Sequence, residues 1–290
     1  MKFLVSGSAG LVGSQVVKDL ADQNHAVYSC YHDSKSDAGI PTRLDLLDPN
    51  NIKKVIDNTT PDAIIHLAAM TSVDLCESQK DLATKINANA TETLAREAAK
   101  KHVFFVYVST DYVFDGKKGM KKEDDIPNPL GEYGKSKLAG EIALNNLASS
   151  WCIARTSTPF GVHKIKKSFP LWVKENLESK KEIPVLTDQF TSPTYVPNLS
   201  KMLIEIATRQ ITGIIHVAGA TRISRFQLAE IIADKLNLDK TLLKPTKLDE
   251  MNWKAPRPKD SSLDVSLASE ILNEKPQTIQ KSLELFLSQL

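Results

Sequence analysis

The sequence predicts an α/β protein, a doubly wound parallel sheet with a smaller C-terminal region, and three observations carry that expectation. A short apolar strand, Lys2 to Ser6, runs straight into Gly7-Ser8-Ala9-Gly10-Leu11-Val12-Gly13 and then into a helical pattern. The strand segments that follow are apolar on both faces and alternate with helices, as strands covered by helices on both sides must be. The dense β-branched and aromatic run Val103 to Val108 then ends in Ser109-Thr110-Asp111-Tyr112, and the next helix carries Tyr133 and Lys137.

The chain of 290 residues, 41% hydrophobic, is long enough for one large domain or two unequal ones. The expected division is a dinucleotide-binding domain over 1–157, rejoined by 196–218. A smaller α+β substrate-binding region is expected mainly over 158–195 and 219–290. With 37 basic and 35 acidic side chains the net charge is +2, which gives no case for nucleic acid or a membrane surface as partner. Cys30, Cys76 and Cys152 are odd in number and widely spaced. They fit neither a disulfide framework nor a zinc pattern, so no metal site and a reducing compartment are expected. The apolar start Met1 to Val5 stops at Ser6-Gly7, too short for a signal-peptide core, and no apolar run approaches a membrane span. A cytoplasmic protein is expected.

The first strand, glycine-rich turn and helix form the context that a dinucleotide-binding fingerprint requires. Glycine allows the tight turn and the close approach of backbone N–H groups to a pyrophosphate, and the helix start offers its positive end. The second strand, Ala26 to Tyr31, ends in His32 with Lys35 close by. An NAD site usually places a carboxylate there for the ribose hydroxyls, and Asp33 stands just past the position. The potential cations favour a 2′-phosphate and hence NADPH, with NADH left open. A third strand ends near Leu44-Asp45-Leu46, where Asp45 and Leu46 would frame an adenine ring, and Asp48-Pro49 reads as the next helix start. Ala63 to Leu67 is the fourth strand; Ala68 and Ala69 after it are small enough for a cofactor to pass over the backbone. A long helical pattern from about Leu82 to Lys101 contains Asn87, a residue locally unfavourable in mid-helix.

Tyr133 and Lys137 lie one helical turn apart, so phenol and ammonium share a face. A cation beside a phenol favours the phenolate, so the Tyr133 pKa is expected to fall toward neutrality. Thr110, at the carboxyl end of its strand, would set a hydroxyl beside the same substrate oxygen. In doubly wound sheets ligands bind at that end of the strands, so the three features converge on one crevice.

With Gly7-x-x-Gly10-x-x-Gly13, Ser109-Thr110 and Tyr133-x-x-x-Lys137 in order, the chain resembles the extended short-chain dehydrogenases. Longer stretches narrow the resemblance: Ser109 to Gly116, Ala68-Ala69 through Val73-Asp74 and Glu77, and Tyr133 to Glu141. Arg155-Thr156-Ser157, Asp188 to Thr194, Arg257-Pro258 and Ser262 to Asp264 continue it. These are similar to blocks of the dTDP-4-dehydrorhamnose reductase family and extend over nearly the whole chain. The resemblance implies hydride transfer from NADPH to the C4 ketone of a nucleotide-diphosphate-linked 4-keto-6-deoxy sugar. By it, Thr110, Tyr133 and Lys137 are catalytic, with Tyr133 as proton donor. It places Gly7, Gly10, Leu11, Val12, Gly13, His32, Asp45, Leu46, Ala68 and Ala69 against the cofactor, with Tyr133 and Lys137. Val73, Asp111, Tyr112 and Arg257 would meet the substrate, and a homodimer on the helices bearing Tyr133 and Asn87 is common in the superfamily. One departure stands out: where the family follows Arg-Thr-Ser with a tryptophan, this chain has Thr158-Pro159-Phe160-Gly161.

Other readings compete. A dehydratase needs Asp-Glu after the threonine, and here Asp111 is followed by Tyr112. Epimerases tend to have larger substrate regions. A cofactor-binding regulatory subunit without turnover is opposed by the joint presence of Thr110, Tyr133 and Lys137. Lys164, Lys166 and Lys167 cluster in a loop that would suit a diphosphate or simply a solvated surface.

Overall fold

The computed structural model describes residues 1–147 and 150–290. The chain runs β1 Lys2–Ser6, α1 Leu11–Asp22, β2 Ala26–Tyr31, β3 Ile40–Arg43, α2 Pro49–Thr59, β4 Ala63–His66, α3 Val73–Ser78 and α4 Lys80–Thr84. A wide π-helical turn, Lys85–Asn89, leads into α5 Ala90–Ala99. Then come β5 Phe104–Thr110, a 3₁₀ turn Asp111–Val113, α6 Glu132–Leu147, β6 Trp151–Thr156 and β7 Pro159–Phe160. The remainder holds α7 Phe169–Glu178, β8 Ile183–Leu186, β9 Phe190–Thr191, β10 Thr194–Tyr195, α8 Val196–Arg209, β11 Gly213–His216, β12 Ile223–Ser224, α9 Arg225–Lys235, β13 Leu243–Thr246, α10 Ser266–Ile271 and α11 Ile279–Leu287.

Seven strands form one sheet in the order β11-β6-β5-β4-β1-β2-β3, and every pairing in it is parallel. Period-two alternation sends successive residues to opposite faces. Phe3 and Val5 join Val16, Val17, Leu20, Leu199, Met202 and Leu203 under α1 and α8. Leu4 joins Ile52, Ile64, Leu94 and Phe105 under α2 and α5. The expected Rossmann architecture is therefore present. The reversal of strand order beside β1 opens a crevice at the carboxyl ends of β1 and β4. A separate apolar core, including Phe160, Val173, Val185, Leu228 and Phe286, holds together the second lobe.

Several local expectations change. The β3 ladder stops at Arg43 with one further bond from the Leu44 N–H to Tyr31 O. Asp45 is then drawn out of register, its N–H donating to Asn51 Oδ1 at 2.8 Å and its carboxylate accepting from the Leu47 N–H at 2.9 Å. The helical run expected from Leu82 to Lys101 is α4, the wide turn and α5, and α3 precedes it. The stretch Asp188 to Tyr195 contains β9 and β10, which pair with β12 and β7. The Asp48 cap is as expected: its side chain accepts from the Asn50 N–H at 2.9 Å, with Pro49 at the first helical position.

Candidate active site

A cavity of about 970 Å³ opens at the carboxyl ends of the central strands. Gly7, Gly10, Leu11, Val12 and Gly13 line it from the first turn, His32, Asp45 and Leu46 from the edge, and Ala68 and Ala69 from the loop after β4. Thr110, Asp111, Tyr112, Tyr133 and Lys137 line it from the other side. Val73 and Arg257 do not. Val73 opens α3, and the Arg257 guanidinium forks onto Asp74 at 2.9 and 2.8 Å while stacking on Trp253. That pairing holds the Asp74 carboxyl down at about 2, and it occupies the guanidinium expected to meet the substrate.

The turn is built for close approach. Gly7 has φ +69°, and a Cβ there would stand 2.8 Å from the Ala68 nitrogen. A Cβ on Gly13 would fall 2.1 Å from Gly7 O. Gly10 caps α1 without a side chain, and the first turn carries no acid, so its free N–H groups suit an anion. The opposite wall is fixed by a buried polar chain. Ser6 Oγ accepts from the Leu67 and Ala68 N–H groups, both at 3.1 Å, and lies 2.6 Å from His66 Nδ1. Its own proton therefore goes to His66 Nδ1, which leaves Nε2 to donate to Thr91 Oγ1 at 3.1 Å. Burial pushes His66 down to about 3, so the ring is neutral. A turn with small residues and open N–H groups around a cavity of this size fits a dinucleotide.

Asn87 has a defined task. Its side chain accepts from the Met70 N–H at 2.8 Å and donates to Met70 O and Ser136 Oγ at 3.1 and 3.0 Å. Ser136 Oγ in turn donates to Tyr133 O. The loop after β4 is thereby tied to the helix that presents Tyr133.

Thr110 Oγ1 donates to Asp111 Oδ1 at 2.9 Å, and Ser157 Oγ donates to Asp111 Oδ2 at 2.7 Å. Burial raises the Asp111 carboxyl above its ordinary range. Tyr112 packs edge-on against Tyr133, ring centres 5.9 Å apart, and burial pushes its phenol up to about 12. Tyr133 departs from expectation: burial raises its pKa well above 10, although the Thr110 side chain pulls the other way. Lys137 does not lower it, because burial takes Lys137 itself down to about 7. For Tyr133 desolvation outweighs the Thr110 hydrogen bond, and for Lys137 it outweighs the Glu141 charge.

Arg225, at the start of α9, lines the cavity although the sequence did not mark it, and Thr158 and Pro159, at the tryptophan position, line it too. The Arg225 N–H donates to Gln189 O at 3.1 Å, and its guanidinium stacks on Phe169. Lys166 and Lys167 also line the cavity. Among the described residues no three His, Cys, Asp or Glu side chains gather as metal ligands, and no helix is long and apolar enough to cross a membrane. Cys30, Cys76 and Cys152 are free and buried.

Known proteins share this plan. A probable low-salt glycan biosynthesis reductase, Agl14 of Haloferax volcanii, is 33% identical over 288 residues, 98% of this chain and 96% of that protein. The methionine adenosyltransferase 2 subunit beta of Xenopus tropicalis is 34% identical over 92% of this chain and 81% of its own. Among solved structures, a dTDP-4-dehydrorhamnose reductase from Bacillus anthracis in complex with NADP superposes with TM-score 0.89 at 29% identity, covering 100% of this chain and 99% of that one. A hypothetical dTDP-4-dehydrorhamnose reductase from Sulfolobus tokodaii gives 0.87 at 40% identity, covering 96% and 97%. The RmlD substrate binding domain family matches residues 1–290, and on that match, together with the parallel sheet and glycine turn described above, the chain belongs to this family.

Proposed function

We propose that the protein is an NADPH-dependent reductase of a nucleotide-linked 4-keto-6-deoxy sugar. The observation that carries the reading is the convergence of Thr110, Tyr133 and Lys137 on the cavity that the glycine turn opens. When bound, the reduced nicotinamide supplies the hydride. Gly7 and Gly13 leave room for the diphosphate, and the first-turn N–H groups of α1 hold its charge. Thr110 orients the ketone oxygen by turning to it the hydroxyl proton that it otherwise donates to Asp111. Tyr133 protonates the oxygen that gains charge as the carbonyl is reduced. A raised phenol pKa suits this direction, because the proton is in place at neutral pH and an alkoxide is a far stronger base. The lobe formed by 158–195 and 219–290 would hold the sugar nucleotide, with Arg225 and Tyr112 facing it. Thr158 and Pro159 in place of a large aromatic widen that side of the pocket, so the sugar need not be rhamnose-related.

The test is calorimetric titration with NADPH and NADH, followed by loss of NADPH absorbance with dTDP-4-keto-6-deoxyglucose. Tight binding and turnover that falls at least about 100-fold in Tyr133→Phe, with unchanged cofactor affinity, is the expected result. The methionine adenosyltransferase relatives favour a second reading, a cofactor-binding subunit that regulates a partner. Cofactor binding without turnover on any 4-keto sugar nucleotide would favour it; absence of dinucleotide binding would refute both.

A further inference from the structure

The cavity has an adenosine end, where β2 runs out into His32, Asp33 and Ser34. Each cation that the sequence offers there has a neighbour of its own. Lys35 turns back onto its own strand, with Nζ 5.5 Å from the centre of the Tyr31 ring. The His32 ring lies 3.0 Å from Asp33 and 4.0 Å from Asp45, so carboxylates surround it. A 2′-phosphate placed in that setting would meet the Asp33 and Asp45 carboxylates, which repel it, and NADPH would be disfavoured.

The second lobe changes that balance. Between Gly161 and Phe169 its chain passes over the start of α1, close enough that a Cβ on Gly161 would touch Leu11. It then reaches the loop after β2, where Lys164 Nζ pairs with Asp37 at 2.7 Å. His163 folds the loop on itself, its Nδ1 accepting from the Ile165 and Lys166 N–H groups at 3.1 and 2.9 Å. The Ser168 hydroxyl closes it onto Gly161 O at 3.0 Å. The Lys164–Asp37 pair thus brings an already shaped loop to the connection after β2, and Lys166 and Lys167 line the cavity. Of its three lysines, Lys164 is engaged by Asp37 and Lys167 by Glu175 at 2.7 Å. Lys166 makes no ion pair among the described residues.

We propose that Lys166, carried across the groove from the second lobe, recognises the 2′-phosphate of NADPH, with the Lys164–Asp37 pair setting the loop beside the adenosine end. The assignment rests on the reading that the cavity holds a nicotinamide dinucleotide, and it makes cofactor preference a property of the second lobe. Chemically it asks for a compact cation at the only charge that separates the two cofactors. Lysine serves as a phosphate binder by point charge, without the planar fork that arginine needs. The ion pair that sets the loop is exposed and screened, so the loop can release and admit the cofactor.

The experiment is calorimetric titration of wild type, Lys166→Ala and Lys166→Arg with NADPH and with NADH at low salt. Lys166→Ala should weaken NADPH about tenfold, the size of one solvent-screened charge-assisted contact, and leave NADH within about twofold. Lys166→Arg should keep the preference, and added salt should erase the difference between wild type and Lys166→Ala. Equal weakening of both cofactors would overturn the assignment and put Lys166 on the shared diphosphate; no weakening of NADPH would overturn it as well. Wild-type protein that binds neither dinucleotide would instead remove the reading on which the assignment stands.

Discussion

Lys137 Nζ stands 4.0 Å from the centre of the Tyr107 ring and donates a 2.9 Å hydrogen bond to Val108 O. The ammonium is thus held by β5, at the cavity wall, and not by the Tyr133 phenol. Burial takes its pKa to about 7, with Glu141 on the same helix pulling upward. In the unfolded chain a lysine keeps its proton to about 10.4. Between these values the unfolded state binds more protons, so this residue's contribution to stability grows as pH rises from about 7 and flattens near 10. Lys137→Met should remove that dependence. Urea melts of both proteins at pH 6.5, 8 and 9.5 should show the variant gaining relative stability toward the acid side, by up to about 1.4 kcal/mol per pH unit. A constant difference across pH would show that the lysine keeps its proton in the fold.

Glu141 and Arg155 form a buried ion pair at 2.7 Å, with Ser109 donating a further hydrogen bond to Glu141. Both side chains are nearly inaccessible, at 4% and 2% of their surface. Glu141→Gln leaves a guanidinium in the core without its counter-charge, and a loss of about 3–5 kcal/mol in unfolding free energy is expected. Glu141→Leu combined with Arg155→Met should recover much of it, since desolvating two charges offsets most of what their attraction gives. Guanidinium titration of the three proteins decides the matter.

Gly13→Ala would place a methyl group 2.1 Å from Gly7 O. The turn must move to accept it, and the first-turn N–H groups move with it. We expect a stability loss of about 1–3 kcal/mol, the usual result of overpacking, together with loss of measurable NADPH binding by calorimetry. Retained affinity would show that the dinucleotide does not use this turn.

Asn87→Ala strips the Met70 N–H of its buried acceptor and Ser136 of a donor. The expected cost is about 1–3 kcal/mol in thermal unfolding, from the orphaned backbone group. A fall in turnover larger than the fall in NADPH affinity would follow from the loosened hold on the Tyr133 backbone.

What the sequence made legible was whatever depends on near neighbours. The turn after β1 and the Tyr133–Lys137 spacing are local patterns. The strand core Phe104 to Val108 follows from composition, and the structure brings the turn, the helix pair and the end of that strand to one cavity. What escaped depends on partners distant along the chain. Arg257 looked like a free fork until Asp74, 183 residues away, filled it. Arg225 enters the cavity because α9 starts beside β9, a pairing of two-residue strands that no periodicity reveals. The direction of the Tyr133 shift was misjudged for the same reason: the charge beside it is visible as spacing, whereas desolvation is a sum over everything that covers the site.

The wide turn at Lys85–Asn89 works as a phase shifter in the long helical run. It takes up one residue more than a regular turn, so the helix before it and α5 after it present faces offset by about 100°, the rotation of a single residue. α5 can then keep Leu94, Ala95 and Ala98 in the core under the sheet while Asn87 points across to Met70 and Ser136. Deletion of a single residue in this segment would heal the helix ladder and leave every apolar contact of α5 intact. The molecule would remain folded, yet the tie between the cofactor wall and the helix of Tyr133 would face the wrong way. Length at this one turn, more than any side chain in it, keeps the two halves of the site in register.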